Sequence, residues 1–247
     1  MIVVISAMAE ELAPLAGRLV DRRRGPGPRS VSGCLAGEPL LLTWTGPGRT
    51  QARAGRRRLR RELAEEPRMS LLVGVAGGLD PALRRGDVVR VERALRLEAH
   101  PWSAAPLERR VDVAGGGVAV TVDGIVASAG EKSALWTRLG RPPAAVVDME
   151  TFHWLAELSE VVGREAEPGA SPVVLRAVSD PAGLSLPGFL AGCVSTGGGI
   201  SRARVAAGVA LRPWSVLALV RLRRDVRHAA IRIADAVEAA VRERSAT

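Results

Sequence analysis

Carboxylates stand just past the ends of three aliphatic runs in this chain. The run Ile2 to Ile5 leads through Ser6-Ala7 to Glu10-Glu11, "AAVVD" leads to Met149-Glu150, and "VVLRAV" stops on Ser179-Asp180-Pro181. A fourth run, "LLVGVAGGL", ends in the glycine-rich stretch Val75 to Leu79. Short apolar runs bounded by such breaks read as buried strands, and in an α/β sheet a ligand usually sits beyond the carboxyl ends of the strands. Carboxyl groups gathered there could give protons to a bound ligand and take them back. Each feature also has a plainer reading: helix dipoles favour carboxylates at helix starts, glycines make turns, and Asp-Pro breaks strands. Their joint placement at strand ends is what points to a site.

The elements that must position these groups alternate along the chain. After the first strand, "MAEELAPLAGRLV" has helical spacing through Met8, Leu12, Leu15 and Leu19. "RRRGPGPRS" reads as a loop, "VSGCLAG" and "PLLLTWTG" as paired strands, and "GPGRTQARAGRRRLRRELAEE" as a basic helix opening on glycines. "GDVVRVERALRL" is a strand, and "RRVDVAGGGVAVTVDGIVASAG" reads as a hairpin turning at Gly115 to Gly117, followed by a further strand. "EKSALWTRLG" and "ETFHWLAELSEVV" read as helices flanking the "AAVVDM" strand. From "RPWSVLALVRLRR" onward the chain reads as helix, with Leu222, Val226, Ala230, Ile233, Val237 and Val241 on one face. The expected class is α/β: a single three-layer α/β/α domain over 1–247 with a mixed central sheet, a core to about residue 185 and a C-terminal helical extension over about 186–247.

Composition narrows the function. Aromatic residues make up 3% of the 247, with no tyrosine, so a stacked-aromatic nucleic-acid platform has little material and no nucleic-acid partner is expected. The net charge of +9 is carried by arginine, clustered at Arg56 to Arg58 with Arg60 and Arg61, and again at Arg221, Arg223, Arg224 and Arg227. A solvated helix face is the favoured reading of both clusters. For Leu217, Leu219 and Val220 beside the second cluster, an interfacial membrane surface is weighed against packing on the sheet or on a partner subunit, and packing is preferred. Cys34 and Cys193 form no metal-ligand spacing, His100, His153 and His228 are scattered, and "STGGGIS" lacks the lysine of a P-loop, so no metal or cofactor is expected. A His153 one helical turn past Glu150 could approach the site, but a structural role is favoured, as is a core role for Phe152 and Trp154. The opening residues lack a basic n-region and the chain lacks a membrane-length apolar run, which together suggest a cytoplasmic protein.

Taken in order, "ISAMAEEL", "VGVAGGLDPALRRGDVV", "AAVVDMET" and "LRAVSDPA" resemble the purine nucleoside phosphorylase and nucleosidase superfamily, nearest the methylthioadenosine and S-adenosylhomocysteine nucleosidases. The compact "GEKSALWTRLGRPPAAVVDMET" and the tail "LPGFLAGCVS…ALRPWSVLALVRLRRDVRHA" look more like adenosylhopane nucleosidases. The resemblance implies cleavage of a purine from C1′ of ribose through an oxocarbenium-like sugar. It casts Asp180 as the protonated general acid to purine N7, supported by Ser179, and Glu11 as base or orienter of the attacking water. It casts Glu150 as acceptor from the ribose hydroxyls, Met149 as packing on the sugar, and Ala76 with Gly77 as the close backbone approach to the base. The implied substrate is a 5′-substituted adenosine, adenosylhopane or methylthioadenosine/S-adenosylhomocysteine, and a homo-oligomer is implied. Where those nucleosidases place serine in a Gly-Ser-Ala-Gly-Gly turn, this chain has Val75, whose side chain can hold neither water nor phosphate. Arg49 in "TGPGRT" could bind an anion, which keeps a phosphorylase as the alternative; a nucleoside-binding module without catalysis is the third reading.

Overall fold

The computed structural model describes residues 1–63, 65, 67–97, 107–112, 115–159, 172–193 and 201–245. His100, residues 195–200 of the "STGGGIS" stretch and residues 160–162 of the helix expected after Glu150 lie outside them.

Ten strands form one mixed sheet. Strand β1 (Ile2–Ser6) lies between β4 (Glu38–Trp44) and β5 (Met69–Gly78), parallel to both. Beyond β4 the sheet ends in the antiparallel pair β3 (Ser30–Leu35) and β2 (Val20–Arg24). On the other side β5 pairs in parallel with β10 (Val173–Asp180), and β10 pairs antiparallel with β6 (Val88–Leu97). β6 continues to β8 (Gly117–Thr121), which pairs with β9 (Ala145–Asp148), and β9 returns antiparallel to the last residues of β5. Five strands therefore close on themselves, which brings the ends of β5, β9 and β10 to one place.

Alternation along β1 shows why this is a three-layer domain. Ile2 and Val4 pack with Leu12 and Leu15 of α1 (Ala9–Ala16) and with Ile233 and Val237 of α6 (Val216–Ser245). Val3 and Ile5 face the other way, onto Ala52 and Leu59 of α2 (Arg49–Glu62) and Trp154 and Leu155 of α4 (Thr151–Ser159). A strand buried on both faces must be apolar throughout, as β1 is. Phe152 and Trp154 are core residues, as their spacing predicts. A third cluster, with Leu79, Val120, Val147 and Leu135 of α3 (Ala129–Arg138), fills the closed part of the sheet.

Three local expectations need correction. Val20–Arg24 is a strand although it lies partly in the expected loop; all five residues are exposed, so an edge pairing with β3 leaves no apolar signature. The expected hairpin around Gly115 to Gly117 is not one: β7 (Leu107–Asp112) and β8 each pair with β6 instead of with each other. The further strand expected after that hairpin is not formed: residues 122–128 are irregular, and Val122, Gly124, Ile125 and Val126 border the cavity described below. The extension also contains a further helix, α5 (Arg202–Leu211), capped by the Ser201 hydroxyl accepting from the Arg204 N–H.

Candidate active site

The ends of β1, β5, β9 and β10 border a cavity of about 160 Å³. Its wall includes Glu11, Val75, Ala76, Gly77, Met149, Glu150, Ser179 and Asp180, eight of the nine site residues expected from sequence, together with Asp148. Arg49, the ninth, is the exposed first residue of α2 and does not border the cavity. Among the described residues bordering it there is no arginine, lysine, histidine or aromatic side chain; the charged groups are four carboxyls, Glu11, Asp148, Glu150 and Asp180.

Glu11 sits in the first turn of α1 and is 3% exposed. Its Oε2 accepts from the Ser6 hydroxyl and from the Met8 N–H at 3.0 Å, and its Oε1 accepts from the Val75 N–H at 3.0 Å. Val75 contributes its backbone, which a valine supplies as well as a serine does. Three donors hold the carboxylate in one orientation and stabilise its charge.

Asp148 ends β9 and is bound more extensively. Its Oδ1 accepts from the Thr121 hydroxyl at 2.8 Å and from the Thr151 N–H at 3.2 Å; its Oδ2 accepts from the Thr151 hydroxyl and forms an ion pair with Arg176 Nε at 2.9 Å, while that Nε donates to the Thr151 hydroxyl oxygen at 2.7 Å. Arg176 lies in the middle of β10, 1% exposed, and its Nη1 would lie 2.1 Å from a Cβ added at Gly74. That is why residue 74 has no side chain: the guanidinium passes where one would be. Arg176 Nη2 has no acceptor among the described residues.

Glu150 is the third carboxyl near this one guanidinium. Burial pushes its pKa up to about 8, the charges of Asp148 and Glu11 add to the shift, and Arg176 opposes it. One cation cannot neutralise three carboxylates, and the carboxyl with neither Glu11's donors nor Asp148's ion pair keeps its proton. A neutral carboxyl offers one donor and one acceptor, a fit to a vicinal diol. The folded protein then holds a proton that the unfolded chain has lost between about pH 4.5 and about pH 8. Stability should fall as pH rises through that window. Glu150→Gln, which mimics the neutral form, is expected to flatten this slope and to be more stable than the parent above about pH 8. Urea midpoints measured across the window test it; parallel pH profiles for the two proteins would refute it.

Asp180 ends β10 and is 5% exposed. Its Oδ1 accepts from the Ser179 hydroxyl at 2.5 Å, and its Oδ2 lies 2.6 Å from Lys132 Nζ. A Cβ at Gly77 would come within 3.1 Å of Oδ2 and 3.2 Å of Val147 Cγ1, so a glycine is needed where β5, β9 and β10 converge. Lys132 is fully buried on α3, and its ammonium also donates to the carbonyls of Asp180, Pro181 and Leu184 at 3.0–3.1 Å. The sequence reading has Asp180 as a protonated acid in a closed pocket with no cation named beside it; the structure instead sets the Lys132 ammonium against it as a buried ion pair, which would stabilise the carboxylate left after a proton is given away.

Asp148, Arg176 and Lys132 escaped the sequence reading. Arg176 carried a signal, since an arginine inside "VVLRAVSD" puts a charge in a buried strand, which is rare without a partner. Lys132 carried none, because "GEKSALW" reads as any helix start with an exposed lysine. His153 is buried at 4% and its pKa is lowered to about 4 by desolvation and by Arg96; it does not border the cavity. Among the described residues no group of three or more His, Cys, Asp or Glu side chains could hold a metal.

Comparison with known proteins agrees with this fold. Residues 1–106 match the model of the phosphorylase superfamily, and the resemblance read from the motifs is borne out at that level. A 5′-methylthioadenosine/S-adenosylhomocysteine nucleosidase from Neisseria meningitidis, solved with methylthio-immucillin-A, superposes with a TM-score of 0.65 at 20% identity over 96% of each chain. An S-adenosylhomocysteine nucleosidase from Streptococcus pyogenes, solved with 5-methylthiotubericidin, gives 0.65 at 19% identity over 96% of this chain and 94% of the other. The futalosine hydrolase of Helicobacter pylori gives 0.66 at 18% identity over 98% and 97%. At these identities the likeness is one of fold. No curated protein matches the sequence.

Proposed function

We propose that this chain, built on the phosphorylase-superfamily fold, is a hydrolytic nucleosidase that cleaves the N-glycosidic bond of a 5′-substituted adenosine and releases adenine. The observation that carries the reading is Glu11, a carboxylate on the cavity wall held by the Ser6 hydroxyl and the Met8 and Val75 N–H groups, with no basic side chain among the described residues that border the cavity. A sugar gaining oxocarbenium character is stabilised by carboxylates, whereas a phosphate dianion entering as nucleophile would be repelled by them.

Each group then has a task its surroundings suit. Asp180, ion-paired with Lys132 in the free protein, takes up a proton as the nucleoside binds and passes it to N7 of the departing purine, which restores the carboxylate that Lys132 stabilises. Its carboxyl can also accept from a 6-amino group, which favours adenine. Glu150 holds the ribose hydroxyls, and Met149 packs on the sugar. Glu11, held by three donors, accepts from the attacking water. Water is excluded elsewhere by Val75, Val122, Ile125, Val126 and Leu186, all of which border the cavity. This apolar wall suits an apolar 5′ substituent, so adenosylhopane is placed alongside methylthioadenosine and S-adenosylhomocysteine as a substrate.

The test is adenine release by the purified protein from each of the three nucleosides, with and without phosphate. The expected result is release at the same rate in both conditions, with the free sugar as second product. Release that requires phosphate and yields the 1-phosphate would assign a phosphorylase instead, and tight nucleoside binding with no turnover would assign a binding module.

A further inference from the structure

Nine large hydrophobic side chains are exposed among the described residues, and five of them fall between residues 211 and 220: Leu211, Trp214, Val216, Leu217 and Val220. Leu211 is 74% exposed, Trp214 72% and Leu217 70%, more than any other in that group. Of the two kinds of packing expected for Leu217 and Val220, on the sheet or on a partner subunit, the first is not met; Ile233, Val237 and Val241, further along α6, pack on the sheet.

Charge divides the same helix. From residue 211 to 228 the chain carries Arg212, Arg221, Arg223, Arg224 and Arg227 against a single carboxylate, Asp225; from 229 to 245 three arginines meet three carboxylates. Asp225 is buried and paired with Arg85 at 3.2 Å, so it does not offset the arginines at the surface. Leu217, Val220, Arg224 and His228 follow one another at helical spacings of three and four, with Arg221 four residues after Leu217, so one stripe runs from apolar to cationic. Arg221, Arg224 and His228 line a hollow with Arg85 and Asp225. α5 and α6 meet at 114°, which sets Leu211 and Trp214 on a projecting corner. No single helix among the described residues is long and apolar enough to cross a membrane.

We propose that this corner adsorbs to an anionic lipid surface, with Leu211, Trp214, Leu217 and Val220 entering the interface and the arginines binding headgroup phosphates. Tryptophan favours the headgroup level, arginine stems lie along apolar surface while their guanidinium groups reach phosphate, and each basic residue near an anionic membrane adds attraction. A second copy is a poorer occupant: an isologous pairing through this face would set the arginines of one chain against those of the other. The 3-10 helix Gly188–Cys193, against which α5 packs, begins two residues after Leu186 of the cavity wall. Delivery of a nucleoside with an apolar 5′ chain from the bilayer is a corollary that rests on the nucleosidase reading; the adsorption does not.

Sedimentation of the full chain with phosphatidylcholine vesicles, with and without phosphatidylglycerol, tests the proposal. Binding is expected only to the anionic vesicles and should weaken as salt is raised. R221Q/R224Q should lower vesicle affinity by about fivefold per arginine, and W214S/L217S should abolish it, with circular dichroism unchanged because all four side chains are exposed. No binding at low salt, or binding indifferent to these substitutions, would overturn the idea. So would concentration-dependent self-association that W214S/L217S dissolves in a protein that ignores vesicles, since a second copy would then cover the corner.

Discussion

Asp180→Asn is expected to slow adenine release by roughly 10²- to 10⁴-fold, the usual contribution of a general acid, while nucleoside affinity changes little. Asparagine keeps the shape of the side chain; its amide oxygen can accept from Lys132 while its NH2 donates to the Ser179 hydroxyl oxygen, whose own proton can go to the Ala76 carbonyl, so the β10 end, Gly77 and the cavity wall stay in place. What it loses is a transferable proton, and without one adenine must leave as an anion. The loss should therefore fall on kcat, not KM, as for an interaction made in the transition state. Substrates whose leaving base needs no protonation offer a second readout: with a nitrophenyl riboside the variant should regain most of the parent's rate. A variant within tenfold of the parent on adenosine substrates, or equally crippled on the activated one, would remove Asp180 from the acid's role.

The strand ends were legible in the sequence because each coincides with an abrupt change of residue type. Aliphatics give way to Ser6-Ala7, to Met149-Glu150 and to Ser179-Asp180, and a buried strand cannot hide such a change. The same logic fails for β2, whose Val20–Arg24 is exposed at every position, and for β7 and β8, whose spacing fits a hairpin as well as it fits two separate pairings with β6. Closure of the sheet is a matter of which distant strands pair, and local pattern says nothing of that. In the site, three of the four carboxyls that border the cavity could be found, but not Asp148 or the two cations behind them. Arg176 and Lys132 act by pairing across 28 and 48 residues, with Asp148 and Asp180. At the C-terminus the periodicity of α6 is continuous, yet only its second half meets the sheet; the first half projects past the edge of the core, which a helical wheel does not reveal.

The largest effect on stability is expected from Lys132→Met. The methionine fills much the same volume and keeps the helix propensity of α3, so packing alone should cost little. It leaves the Asp180 carboxylate without its cation and three carbonyls, those of Asp180, Pro181 and Leu184, without their shared donor. Removing one partner of a buried ion pair typically costs about 3–5 kcal/mol, and for a domain of this size each kcal/mol lowers Tm by roughly 2–4 °C. A drop of ten degrees or so is expected. Because the ammonium also ties the Pro181-to-Leu184 turn to β10, with Leu186 of the cavity wall two residues further on, the variant should lose nucleoside affinity as well as rate. The double variant with Asp180→Asn isolates the ion pair from the turn. Once Asp180 is neutral, Lys132→Met no longer strands a charge, so the two destabilisations should fall short of their sum by well over the roughly 0.5 kcal/mol allowed for independent sites. Additive losses would mean that Lys132 serves the three carbonyls alone, and the step in which it stabilises the departing proton's carboxylate would have to be withdrawn.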